Sequence, residues 1–161
     1  MQKLYNPYQN MDGYNCFGCA GGNDIGLKLE FYLDGEQIVS YWEPREEFQG
    51  YGDVIHGGIL GTLLDEIGAW AVMVLSGTAG VTREMTVRYL KPARTSKGKL
   101  TLRARVLKQE KDNTRIRGEI LSSSGTLTTE ADIDYFLFPL HIARKRLNYP
   151  GVETFIRTPE Q

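Results

Sequence analysis

The stretch His56-Gly57-Gly58-Ile59-Leu60-Gly61-Thr62-Leu63-Leu64-Asp65-Glu66, continuing as Ile67-Gly68-Ala69-Trp70-Ala71-Val72-Met73-Val74-Leu75, decides how this chain folds. Leu60, Leu63, Leu64, Ile67, Ala71, Val74 and Leu75 recur at helical spacing, which predicts one long helix from Gly57 to about Leu75. Ser76-Gly77 and Gly80 supply its end. At about 100° per residue, Gly58, Gly61, Thr62, Gly68, Ala69 and Val72 fall within about 60° of Asp65. Leu60, Leu63, Ile67 and Val74 fall on the far side. The helix therefore carries a greasy face for a sheet and a face of small residues around one carboxylate. Each helical glycine costs roughly 1 kcal/mol against alanine, so several on one face point to something approaching closely, a partner helix or a ligand. The plainer reading is tight packing, with Asp65 a solvated acid.

Outward from the helix, the rest reads as strand. Before it, Leu27 to Leu33 and Gln37 to Trp42 flank the hairpin signal Asp34-Gly35. After it come Val81 to Leu90, Lys99 to Lys108, Thr114 to Leu121 and Thr126 to Phe138, separated by short turns. Short turns make the later strands antiparallel neighbours. The expected fold class is α+β: a long central helix wrapped by a curved antiparallel sheet. Residues 1–24 read as an irregular arm, 25–138 as the folded domain, and 139–161 as a basic and aromatic tail without an assigned structure.

The length of 161 residues suits one domain. With 19 basic and 20 acidic residues the net charge is -1, which argues against non-specific nucleic-acid binding. No stretch approaches the roughly 18 apolar residues of a membrane span, and the start of the chain lacks the apolar core of a signal peptide, so a cytoplasmic location is expected. Cys16 and Cys19 are the two cysteines. Alone they cannot complete a four-ligand zinc site. Structural, redox and oligomer-shared metal roles stay open, with the structural one preferred and no metal site assigned.

The helix start is chemically suggestive. Gly57 and Gly58 leave N–H groups unobstructed where the helix dipole favours a developing oxyanion. His56 before them reads as a capping or loop histidine. Gly57 and Asp65 are separated by roughly 12 Å along the helix axis, so one carbonyl cannot touch both. If both serve one reaction they come from two subunits, with the helices antiparallel across a two-fold axis.

The segment H-G-G-I-L-G-T-L-L-D-E, the strand V-T-R-E-M-T-V-R-Y and the following L-K-P-A resemble hotdog-fold acyl-CoA thioesterases of the phenylacetyl-CoA thioesterase (PaaI-like) branch. C-F-G-C with N-D-I-G-L-K-L-E-F looks like a subset of that branch. The resemblance runs from about Cys16 to Phe138. It implies hydrolysis of an acyl-CoA thioester by a homodimer or homotetramer, without a cofactor. Gly57 would donate its N–H to the thioester oxygen. Asp65 of the partner subunit would be general base or nucleophile. Thr82 would position the water, and His56 would orient the thioester or support the glycine turn. Gly58, Lys91, Arg94 and Lys97 would contact substrate, the three cations near the CoA phosphates. Glu66 is a fallback acid, and Gln49 is the nearest candidate for the upstream amide of some relatives. Phe48, Tyr51 and Trp70 could line the acyl pocket or belong to the core. The competing readings are a non-catalytic acyl-CoA-binding or sensing protein and a hotdog dehydratase or hydratase.

Overall fold

The computed structural model describes residues 1–157. Its elements are β1 (Gln2–Lys3), β2 (Phe31–Asp34), β3 (Gln37–Trp42), α1 (Gly57–Leu75), β4 (Gly80–Tyr89), β5 (Leu100–Gln109), β6 (Asn113–Leu121), β7 (Leu127–Leu137), α2 (Leu140–Leu147) and α3 (Val152–Ile156). One seven-stranded antiparallel sheet runs in the order β1-β2-β3-β5-β6-β7-β4. The long helix α1 lies on it, packed against β3 through β7. This is the hotdog fold.

The greasy face of α1 does the burying. Leu60, Leu63, Leu64, Ile67 and Val74 are buried against Ile38, Leu102, Ile116, Ile120 and Ile133 in one core. Alternation in the strands supplies the other half: in β7, Ala131, Ile133, Tyr135 and Leu137 point inward while their neighbours are part-exposed. Gly118 in β6 lets the helix come down, because a Cβ there would sit 3.0 Å from Leu64 Cδ2. By length and composition α1 could also cross a membrane, contrary to the sequence expectation. Here it is a core helix, buried beneath its own sheet.

Three expectations need correction. The strand expected over Leu27 to Leu33 is regular only from Phe31. Lys28 has φ 55°, a left-handed conformation that breaks a strand. Second, the N-terminal arm is not wholly irregular, because Gln2–Lys3 pairs with β2. Third, the tail after Pro139 contains α2 and α3, and its last four residues lie outside the described residues. Phe155 of α3 packs edge-on against Trp70, their ring centres 5.4 Å apart, and Trp70 stacks on Phe31 at 4.2 Å. The side of α1 opposite Asp65 is thus closed by the arm and the tail.

Candidate active site

Asp65 sits at mid-helix on the side of α1 that meets β4, the last strand of the sheet. Thr82 Oγ1 of β4 donates to Asp65 Oδ1 at 2.6 Å. The Tyr135 hydroxyl of β7 lies 2.8 Å from the Asp65 carbonyl oxygen, to which it donates, and 3.3 Å from Oδ1. Thr82 and Tyr135 are register partners, and β4 has a bulge between Thr82 and Glu84. Bulges re-aim side chains and strengthen local twist. This one lies immediately beside the threonine that holds the acid. Burial pushes the Tyr135 phenol well above its ordinary value, and the Asp65 charge adds to the effect, so it is a fixed neutral donor. Among the described residues Oδ2 of Asp65 has no hydrogen-bond partner.

The small residues around Asp65 are explained in part by the chain itself. A Cβ at Gly68 would collide with the Tyr135 hydroxyl and come within 3.1 Å of Ile133 Cδ1. Gly68 therefore admits Tyr135, where the sequence suggested a partner helix or ligand. Gly61 is different: a Cβ there would meet only Met85 Cε, at 3.7 Å.

At the helix start, His56 is the N-cap. Its Nδ1 accepts from the Gly58 N–H at 2.9 Å, while its carbonyl accepts from Ile59 and Leu60 at 3.0 and 3.2 Å. Gly58, expected to touch substrate through its amide, thus has that amide engaged. Among the described residues the Gly57 N–H has no acceptor. Tyr89 Oη donates to the Gly57 carbonyl at 2.8 Å, and its ring would touch any Cβ at Gly57. Gln49 forms an isolated bridge with Ile55, next to His56.

The basic loop lies beside this same helix end. Val54 bridges Arg94, the Ile55 N–H donates to the Ala93 carbonyl at 2.8 Å, and the Thr95 N–H to the Asp53 carbonyl at 2.7 Å. Arg94 is not a free cation, since Nη1 is 2.5 Å from Asp53 Oδ1, and Ser96 Oγ donates to Oδ2 of the same acid. Those two donors hold the Asp53 carboxyl below its ordinary value. Lys91 and Lys97 are exposed and have no ion pair among the described residues.

Glu66 faces away from Asp65 toward the arm, with Cys16 Sγ 3.6 and 3.8 Å from its two oxygens. Burial pushes its carboxyl up to about 7. It does not share Asp65's surroundings and is no substitute for it. Trp70 is core, between Phe31 and Phe155. Phe48 packs on Trp42 under the Arg45 guanidinium. Tyr51 stands in solvent. A recess of about 1120 Å³ lies between the arm and β2 and is lined by Tyr5, Lys28, Phe31 and Trp70. Its lining includes neither Asp65 nor Gly57.

Tyr135, Tyr89 and Asp53 escaped the sequence reading. Tyr135 occupies an ordinary inward strand position between Ile133 and Leu137, and only its hydroxyl distinguishes it from core.

The family model described as the thioesterase superfamily matches residues 52–129, which hold Gly57, Asp65, Thr82, the basic loop and most of the sheet. Over that segment the chain is similar to the thioesterase superfamily. Among curated relatives, mouse acyl-coenzyme A thioesterase 13 is 30% identical over 77 residues, 47% of this chain and 54% of its own length. An uncharacterised mitochondrial membrane protein of Saccharomyces cerevisiae is 23% identical over 131 residues, 80% of this chain and 53% of its own. The chain thus spans about half the length of these curated relatives. Among solved structures, a hypothetical thioesterase protein from Streptococcus pneumoniae with coenzyme A superposes with a TM-score of 0.65. It is 24% identical over 70% of this chain and 87% of that one, which speaks for the fold.

Proposed function

We propose that this chain hydrolyses acyl-CoA thioesters in a composite site shared by two copies. The observation that carries the reading is the restraint of Asp65: Thr82 and the buried Tyr135 hold one carboxylate oxygen and its backbone while the other oxygen stays unengaged. A merely solvated acid has no need of a buried tyrosine to fix it. The unengaged Gly57 amide at the N-terminus of a nineteen-residue helix is a fitting donor for a carbonyl oxygen that gains charge.

The two groups are separated by roughly 12 Å along α1, so two antiparallel copies of α1 are needed to bring them together. The edge of the sheet supports such a pairing. β4 is a ten-residue edge strand with Val81 and Tyr89 exposed, and a long unpaired edge is a template for a second strand. A two-fold axis beside β4 would continue the sheet and place the Asp65 of one copy near the Gly57 of the other.

In this arrangement the Gly57 N–H donates a hydrogen bond to the thioester carbonyl oxygen. Asp65 removes a proton from water as the water oxygen bonds to the carbonyl carbon. The tetrahedral intermediate collapses, the carbon–sulfur bond breaks, and the proton returns to the departing thiolate. Asp65 attacking directly gives an anhydride that water then cleaves, with the same products. Lys91 and Lys97, exposed and without an ion pair among the described residues, are suitable cations for the CoA phosphates. Arg94 contributes chiefly by holding the loop through Asp53.

The test is thiol release from a panel of acyl-CoAs, with a no-substrate control for the protein's own cysteines, beside Asp65→Ala. Turnover that collapses in the variant while CoA still binds supports the reading. Saturable CoA binding without turnover on any thioester overturns it in favour of a non-catalytic acyl-CoA binder.

A further inference from the structure

The irregular arm folds against α1 through a cluster that thioester hydrolysis does not use. Cys16, Cys19 and Glu66 each offer one ligand atom, and these atoms all lie within 4.8 Å of one another. The sequence showed two of the three. Glu66 is supplied by a helix fifty positions away, which the spacing of the cysteines could not reveal.

The distances resemble those of a coordination shell more than those of a dithiol. With zinc–sulfur bonds of about 2.3 Å and zinc–oxygen bonds near 2.1 Å, a tetrahedral site has sulfur–sulfur edges of about 3.8 Å and sulfur–oxygen edges of about 3.6 Å. Here Cys16 Sγ and Cys19 Sγ are 3.5 Å apart, and Cys16 Sγ is 3.6 and 3.8 Å from the Glu66 oxygens. A disulfide would bring the sulfurs to about 2.0 Å and remove the Glu66 carboxylate's thiol neighbour. Among the described residues Glu66 makes no ion pair, and its hydrogen-bond partners are thiols. A partly buried carboxylate without a cation is costly to desolvate.

The surroundings are built for the same three atoms. A Cβ at Gly18 would collide with the Glu66 carboxylate, so the glycine between the cysteines is what lets the acid in. The Tyr14 hydroxyl lies 3.0 Å from Cys19 Sγ and is held by Asn6 Nδ2 at 2.9 Å, while the same Asn6 nitrogen donates to the Cys19 carbonyl at 3.2 Å. Such outer partners orient metal ligands. The loop is itself tied down, Leu27 N–H to the Phe17 carbonyl at 2.8 Å and Leu29 N–H to the Gly18 carbonyl at 2.9 Å.

We propose that Cys16, Cys19 and Glu66 form a three-ligand site for a thiophilic divalent cation of the zinc type, which fastens the N-terminal arm to α1. Coordination releases the two thiol protons to solvent, and Glu66 binds as the carboxylate. Two thiolates and a carboxylate around a divalent ion leave one negative charge, and the fourth position is left to solvent. The cation would be structural with respect to hydrolysis, since Glu66 lies about 100° round the helix from Asp65 and contacts Cys16, not Thr82.

The experiment is a titration of the reduced, metal-stripped protein with Co²⁺, followed by displacement with Zn²⁺. The expected result is a thiolate-to-cobalt charge-transfer band that saturates at one equivalent per chain and is bleached by zinc. Cys16→Ser and Cys19→Ser should each abolish that saturable band. Glu66→Gln, nearly isosteric, should retain sulfur coordination but weaken it at least about tenfold. The wild-type titration depends on no variant folding correctly. Absence of the band in wild type overturns the proposal, as does closure to a disulfide in place of cobalt uptake. Cobalt affinity unchanged in Glu66→Gln also overturns it, leaving a bare dithiol. No readout here involves thioester cleavage, so failure leaves the hydrolase reading untouched.

Discussion

Gly68→Ala separates helix propensity from packing beneath the candidate catalytic acid. In the interior of a nineteen-residue helix, alanine should stabilise by about 1 kcal/mol over glycine. The added methyl, however, would collide with the Tyr135 hydroxyl and lie 3.2 Å from its Cζ and 3.1 Å from Ile133 Cδ1. Tyr135 is 1% exposed and cannot swing aside. Overpacking of this kind costs roughly 1–3 kcal/mol. Moving the hydroxyl off the Asp65 carbonyl leaves a buried donor unpaired, a further ~1–3 kcal/mol. The sum is a net loss of roughly 3 kcal/mol, read as a lower urea midpoint at fixed protein concentration. In a Tyr135→Phe background the colliding oxygen is gone, so Gly68→Ala should cost far less, with a coupling of at least about 1 kcal/mol in the double-mutant cycle. A stabilised Gly68→Ala protein, or an equal cost in both backgrounds, would refute this account of the glycine.

Thr82→Val removes the 2.6 Å donor to Asp65. It should lower kcat/KM about 10- to 100-fold with little change in the urea midpoint, and unchanged kinetics would remove Thr82 from the site. The double variant Lys91→Ala, Lys97→Ala should raise KM for acyl-CoA about tenfold, less at high salt, and leave kcat intact. A fall in kcat at constant KM contradicts a phosphate role. Acid stability should depend on the outer ladder of β4, β6 and β7, where Arg115 holds the Asp134 carboxyl below its ordinary value. At Asp132 burial pushes upward, but Arg117 and Arg88 outweigh it and the carboxyl is again held low. Such acids bind fewer protons folded than unfolded, so they add stability above the unfolded value and lose it as pH falls through the folded one. Asp134→Asn should therefore flatten the acid limb of a Tm-against-pH curve, and an unaltered limb would show the ladder to be inert.

The parts of the fold legible in the sequence were those governed by periodicity. Leu60, Leu63, Leu64, Ile67 and Val74 fix which face of α1 is buried whatever the tertiary details, and its bounds, Gly57–Leu75, follow from the glycines at either end. Alternation in β5 to β7 was equally plain. What failed to show was chemistry made by distant residues. The Tyr135 hydroxyl reaches Asp65 across seventy positions and Asp53 cancels Arg94 across forty-one. Neither partner has a local signature, because a phenol in a strand and an acid in a loop are both commonplace. Gly68 was seen as a sign of close approach, but the approaching group was a strand of the same chain. The tail was unreadable for a different reason. Eight and five residues are too few for α2 and α3 to announce themselves by period, and α3 is anchored by one side chain, Phe155.

That anchor has a consequence for biosynthesis. The Tyr5 N–H donates to the Phe155 carbonyl at 2.8 Å, and Gln2 Nε2 to the Ile156 carbonyl at 3.1 Å. Residues that leave the ribosome early thus wait for partners made about 150 positions later, roughly 10–30 s at ordinary elongation rates. Until then Phe31 and Trp70 have no aromatic lid, and the nascent chain presents a greasy surface to whatever is nearby. Slow translation of the last quarter of the message would lengthen that exposure, and aggregation during expression should be more sensitive to it than to any substitution around Asp65.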